Sequence, residues 1–185
     1  MRLARVTAEG RGAKDRLLAT VVERLHAEGL RIAGAVRAVA PGAEAGHCDS
    51  ALRLLPEGPV VDITQNLGTG SAACRMDSGA LELAVAGATE RLKTQGADLV
   101  VVNKFGISEA EGRGFRTLIA EALGRHLPVL IGVSDVHREA FDRFAGGMAV
   151  ALPADEDAVL AWCLDAIPTS DRDMGGCSVS GPHHA

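Results

Sequence analysis

Four groups of residues have types and spacing that could do chemistry. The first is Ala8-Glu9-Gly10-Arg11-Gly12-Ala13-Lys14-Asp15, which falls on the GxxxxGK[ST] spacing of a phosphate-cradling loop. In that pattern glycines let backbone N–H groups converge on phosphate oxygens, the lysine balances their charge and the hydroxyl holds magnesium. Lys14 keeps the lysine, and Gly10 and Gly12 give the loop backbone freedom. The two motif glycines, however, are Ala8 and Ala13, and the hydroxyl position is Asp15. A carboxylate there could contact a metal but also sets negative charge beside the phosphates. The pattern therefore fits anion binding better than magnesium-dependent hydrolysis, and an ordinary strand-to-helix turn with Lys14 in water is its plain alternative.

The second group is Asn103-Lys104, at the end of an aliphatic run. If this is where a nucleotide hydrolase keeps its metal-orienting and water-activating carboxylates, a neutral amide and an ammonium have replaced them, and neither does that work. If it is a base-recognising NKxD motif, Gly106 stands where the aspartate should be. The third group is Gly68-Thr69-Gly70-Ser71 with Cys74-Arg75-Met76-Asp77 just beyond it. Its small residues allow backbone approach to an anion, and Arg75 offers a planar fork of donors for an oxyanion. The fourth is Cys177 with His183 and His184, a thiol and two imidazoles that could hold zinc or copper or simply end the chain. Ser134-Asp135 with His137 is too compact in sequence to read as a triad.

These residues need positioning, and the apolar pattern alternates short β-rich runs with amphipathic helical stretches, the signature of an α/β layer fold. Strands are expected over 3–7, 31–39, 60–63, 98–102, 128–134 and 148–152, and helices over 14–28, 78–94, 135–144 and 155–167. Asp98 to Val102 is the continuous aliphatic run of a parallel strand covered on both faces. Ser108-x-x-Glu111 reads as a capping box opening a helix to about His126. The expectation is one domain over 1–168, a mostly parallel sheet with helices on both faces, and a flexible tail over 169–185.

Composition narrows the function. The 185 residues carry 19 Lys plus Arg against 24 Asp plus Glu, a formal charge of −5 with no basic run, which argues against nucleic acid or an anionic membrane surface as partner. Aromatics are 3% with no Tyr, so bases have little to stack on. No apolar stretch comes after the N-terminal charges and none reaches the roughly 18 residues of a membrane span. Four well-separated cysteines suit reduced thiols. A soluble cytoplasmic protein, without membrane insertion and compatible with a homo-oligomer, is expected.

The stretches Gly70-Ser71, Cys74 to Leu81, Asp98 to Gly106, Glu109-Ala110-Glu111-Gly112-Arg113-Gly114 and Pro128-Val129-Leu130 together resemble a bacterial domain-of-unknown-function family, number 2478. That family is distantly similar to small P-loop nucleoside-triphosphatases and associated with molybdenum-related gene neighbourhoods. The resemblance covers about residues 1–155. It implies a P-loop NTPase-like fold, with Lys14 matching the phosphate-loop lysine and the strand ending at Asn103 matching Walker B. The expected function is binding of a small anionic ligand, a nucleotide phosphate with or without Mg2+ or an oxyanion such as molybdate, by Gly10, Gly12, Lys14, Asp15, Gly70, Ser71, Arg75, Asn103 and Lys104. The alternatives are an active nucleoside-triphosphatase using Asp15 with Asp62 or Asp77 for its metal, and metal handling through Cys177, His183 and His184.

Overall fold

The computed structural model describes residues 2–38, 51–65 and 75–168. Among the described residues, nine strands and six α-helices follow in this order: β1 (Leu3–Val6), α1 (Ala13–Ala27), β2 (Ile32–Arg37), β3 (Ala51–Leu55), β4 (Val60–Asp62), β5 (Thr64–Gln65), β6 (Arg75–Met76), α2 (Ser78–Gln95), β7 (Leu99–Phe105), α3 (Ile107–Ala110), α4 (Arg116–Gly124), β8 (Val129–Val133), α5 (Arg138–Ala145), β9 (Ala149–Leu152) and α6 (Glu156–Ala166). Seven strands form one sheet in the order β4-β3-β2-β7-β8-β1-β9, while β5 and β6 pair separately. From β2 to β9 every neighbouring pair is parallel, and β3 and β4 extend the sheet by antiparallel pairing.

The expected mostly parallel sheet with helices on both faces is what the chain forms, and period-two alternation explains how. In β7, Leu99 and Val101 face α1 and α6, whereas Val100 and Val102 face α2, α4 and α5. Both sets are fully buried, as an all-aliphatic central parallel strand requires. On one face Leu18, Val21, Val22 and Leu25 of α1 meet Val159 and Cys163 of α6. On the other, Leu81, Ala84, Val85, Ala88 and Leu92 of α2 join Leu118, Ile119 and the Phe105–Phe141 edge-to-face pair, 5.3 Å between centroids. Among the described residues no helix is long and apolar enough to cross a membrane.

Two expectations need correction. Residues 51–55, for which the sequence pattern implies no element, form β3. The helix expected from Ser108 to His126 is two helices broken at 111–115, where Gly112 and Gly114 take φ of +88° and +61°. Glu109, not Glu111, closes the first turn: its Oε2 accepts the Gly106 N–H at 2.8 Å and its Oε1 accepts the Phe115 N–H at 2.9 Å. The Ser108-x-x-Glu111 spacing matches the box pattern two residues out of register.

Candidate functional site

Parallel strands end at one edge of the sheet, and in open α/β sheets that carboxyl edge is where ligands collect. β1 runs into the loop that opens α1, and Gly10 and Gly12 take φ of +89° and +70°, a left-handed backbone that L side chains seldom adopt. Their role is thus a fixed shape rather than the looseness read from the sequence. Gly12 stands at the N-cap of α1 and no side chain caps that end, so the positive end of the helix dipole faces the edge.

From there α1 passes over β8, β7 and β2. Gly132 in β8 permits this: a Cβ on it would lie 2.2 Å from Asn103 O and 2.9 Å from Lys14 Cδ. The stem of Lys14 fills the space a side chain would take.

β7 carries an extra residue. Val102 pairs with Ile131 but Phe105 with Val133, three residues against two, so the strand bulges at Asn103-Lys104. The bulge leaves Asn103 on the α1 side, buried, and turns exposed Lys104 to the edge while Phe105 re-enters the opposite core. Bulges re-aim side chains in this way beside functional sites.

Three elements, α1, β2 and β7, are thereby joined by a connected set of contacts. The Asp15 carboxylate lies 3.7 Å from Lys14 Nζ, accepts from Arg37 Nη1 at 3.2 Å and accepts from Asn103 Nδ2 at 3.2 Å. Asn103 Oδ1 in turn accepts the Arg37 backbone N–H at 3.1 Å. The side chains of Lys14, Asp15 and Arg37 are only 12%, 12% and 24% exposed, so these charges interact through protein more than through water. Burial pushes the Lys14 ammonium below its ordinary 10.5, the Lys104 and Arg37 charges add to the effect, and Asp15 opposes it.

These groups line a cleft of about 490 Å³, within the range of small-molecule sites. Gly10, Gly12, Lys14, Asp15, Arg37, Asn103 and Lys104 form its polar wall. Leu52, Ile63, Met76 and Leu81 form an apolar one, and Ser134 and His137 stand at the end of β8. Ser134 Oγ lies 2.9 Å from His137 Nδ1, in a short 3-10 turn, while Asp135 pairs with Arg138 instead of completing a triad.

Six of the nine ligand-binding residues expected from the sequence thus meet in one cleft. Arg75 has its backbone in β6, paired with Gln65. Gly70, Ser71, Cys177, His183 and His184 lie outside the described residues. Asp62 and Asp77, the stand-in metal ligands of the hydrolase alternative, have other tasks: Asp62 accepts from Thr64 N, and Asp77 caps α2 through Ala80 N. Among the described residues no group of three or more His, Cys, Asp or Glu is placed to hold a metal ion. Sequence reading missed Arg37, whose only signal was a cation closing a β-rich run.

Comparison with known proteins gives a matching context. The family model described as protein of unknown function (DUF2478) matches residues 3–162. The molybdenum import ATP-binding protein ModC 2 of Bradyrhizobium diazoefficiens is 36% identical over 162 residues, which is 85% of this chain. The chain spans only 17% of that relative's length, so the relative's activity as a whole is not carried over. Among solved structures, THEP1 from the hyperthermophile Aquifex aeolicus superposes with a TM-score of 0.61 at 17% identity, covering 90% of this chain and 97% of that one. A human cancer-related nucleoside triphosphatase gives 0.58 at 13% identity, covering 89% and 95%. At such identities the likeness shows the fold alone.

Proposed function

The chain belongs to the DUF2478 family, and from that premise and the cleft geometry we propose that it binds a phosphate-bearing ligand at the carboxyl edge of its sheet. The observation that carries this reading is the convergence of Lys14, Arg37 and Lys104 with the uncapped N-terminus of α1 on one cleft, in a chain whose net charge is −5. Three cations, Lys14, Arg37 and Lys104, against the carboxylates of Asp15 and Glu109 give the cleft lining a formal charge of about +1. Lys14 supplies a point charge, Arg37 a directional one, and the loop N–H groups a hydrogen-bonding floor.

A cleft of about 490 Å³ exceeds what a bare tetrahedral oxyanion fills, and its apolar wall offers area to an organic moiety. This favours a nucleotide or another organic phosphate over free molybdate. Molybdate stays as the second reading on one observation, the name of the ModC relative. We place the protein in the cytoplasm, and a homo-oligomer is compatible with the reading.

Calorimetric titration with ATP, GTP, inorganic phosphate, molybdate and tungstate tests the proposal. Binding of a nucleotide, lost in Lys14→Ala, is the expected result. Heat from molybdate or tungstate alone would move the assignment to the oxyanion, and no heat from any of the five overturns it.

A further inference from the structure

In phosphate loops that hydrolyse nucleotides, magnesium is held by the loop hydroxyl and by a carboxylate at the end of a neighbouring strand. Asp15 and Asn103 occupy those two places here, and both are turned to Arg37. Asp15 Oδ2 accepts from the guanidinium, Asp15 Oδ1 accepts from the Asn103 amide, and the amide oxygen accepts from the Arg37 backbone N–H. That oxygen cannot be exchanged with the amide nitrogen: flipping the amide would set its oxygen against the carboxylate and its NH2 group against an N–H. Asn103 therefore presents donors, not a lone pair, to the space beside Asp15.

Magnesium requires near-octahedral oxygen ligands and binds through carboxylates together with phosphate oxygens and water. The residues present do not fit it. The Asp15 carboxylate is already shared by a guanidinium, an amide and an ammonium, both oxygens of Glu109 accept backbone N–H groups, and the second ligand position is a hydrogen-bond donor.

We propose that the Arg37 guanidinium, held by Asp15 while Asn103 fixes that carboxylate and the Arg37 backbone, takes the place of magnesium in this site, so that the protein binds its anion as the metal-free species. This rests on the reading of the cleft as a phosphate site. A cation that belongs to β2 and is largely shielded from water is permanently in place, with no metal needed to supply its charge. A ligand already carrying magnesium would bring two positive charges to a wall of three cations and meet repulsion there.

The test has an anion arm and a metal arm. In the first, ATP and inorganic phosphate are titrated into the intact protein with EDTA and then with excess magnesium. The expected result is that magnesium weakens apparent ATP affinity, because it sequesters the free nucleotide, and leaves phosphate binding unchanged; magnesium-dependent tightening of either overturns the proposal. Arg37→Ala, with Arg37→Gln as the milder replacement should the first fail to fold, is expected to weaken metal-free binding roughly ten- to a hundredfold, the worth of a charge-assisted hydrogen bond.

In the second arm, Mn2+ is added without any anion and its free six-line EPR signal is monitored. The wild-type protein is expected to leave that signal at full intensity, and the double variant R37A/N103D to quench it stoichiometrically. Stoichiometric Mn2+ uptake by the wild type overturns the proposal. If no anion binds in the first arm, the reading of a phosphate site has failed, while the Mn2+ result still decides whether Arg37 excludes a divalent ion.

Discussion

Replacing Asp15 by Asn moves folding stability and anion affinity in opposite directions. The substitution is nearly isosteric and keeps a group able to meet the Asn103 amide, so what it removes is the charge facing Lys14 at 3.7 Å and Arg37 at 3.2 Å. Both cations lose that counter-charge while remaining largely shielded, now beside each other and Lys104. Breaking a buried pair by removing one partner costs about 3–5 kcal/mol, and the 24% exposure of the Arg37 side chain places this case near the lower end. About 3 kcal/mol corresponds to a fall in Tm of roughly 6–12 °C for a domain of this size. For an anion the change is favourable. A unit charge removed roughly 6 Å away contributes about 3 kcal/mol at an effective dielectric of about 20, and solvent at the mouth of the cleft reduces it to about 1–2 kcal/mol. Affinity should rise roughly tenfold. Thermal unfolding by circular dichroism gives the first quantity and calorimetric titration the second. A variant that loses both stability and affinity would refute the reasoning, because it would show that placing Arg37 matters more to the anion than the negative charge of Asp15 costs it.

Three further outcomes are expected. Lys14 has its pKa lowered in the folded protein, so the folded chain binds fewer protons than the unfolded one between that lowered value and 10.5, and stability rises with pH across the window. Anion binding restores the charge on Lys14, so calorimetry in buffers of different ionisation enthalpy should record proton uptake at alkaline pH in the wild type and none in Lys14→Ala. Gly132→Ala puts a Cβ more than an ångström inside ordinary contact with Asn103 O, and overpacking of that kind costs about 1–3 kcal/mol; urea unfolding should show the loss, with anion affinity falling as Lys14 is displaced. Glu109→Gln leaves one oxygen for the two backbone N–H groups of Gly106 and Phe115, so one buried donor loses its acceptor at about 1–3 kcal/mol and Tm drops accordingly, a result checked by differential scanning calorimetry.

The legible parts of this fold are those where one local signal is decisive. Leu99 to Val102 is aliphatic on both faces and could only be a covered strand, and the α1 stripe of Leu18, Val21, Val22 and Leu25 repeats at helical spacing. Lys14 could be placed because the loop, its glycines and the helix start are contiguous. Arg37 could not: it meets Asn103 across 66 positions in sequence, and only the adjacency of β2 and β7 brings the two together. The break after α3 was hidden for another reason. Gly112 and Gly114 are tolerable in a helix by propensity, and the positive φ that ends it comes from Glu109 reaching forward to the Phe115 N–H, a tertiary choice that outweighs the local pattern.

Charge balance makes the departures from the hydrolase pattern intelligible as one coordinated change. A magnesium site of that pattern combines a divalent cation, a neutral hydroxyl and at least one carboxylate, a sum of about +1 beyond the shared lysine. Here Asp15 replaces the hydroxyl, Asn103 replaces the carboxylate, and Arg37 and Lys104 supply positive charge against Asp15 and the Glu109 carboxylate of the same lining. Taken singly, an aspartate in a phosphate loop repels the ligand, an asparagine at the strand end loses the metal, and an arginine among lysines is unstable. Together they cancel: the aspartate anchors the arginine, the asparagine orients both, and the arginine returns the field that the metal would have given. The field is then covalently fixed, present without metal and reorganised only by moving protein, which suits holding or sensing an anionic ligand more than turning it over.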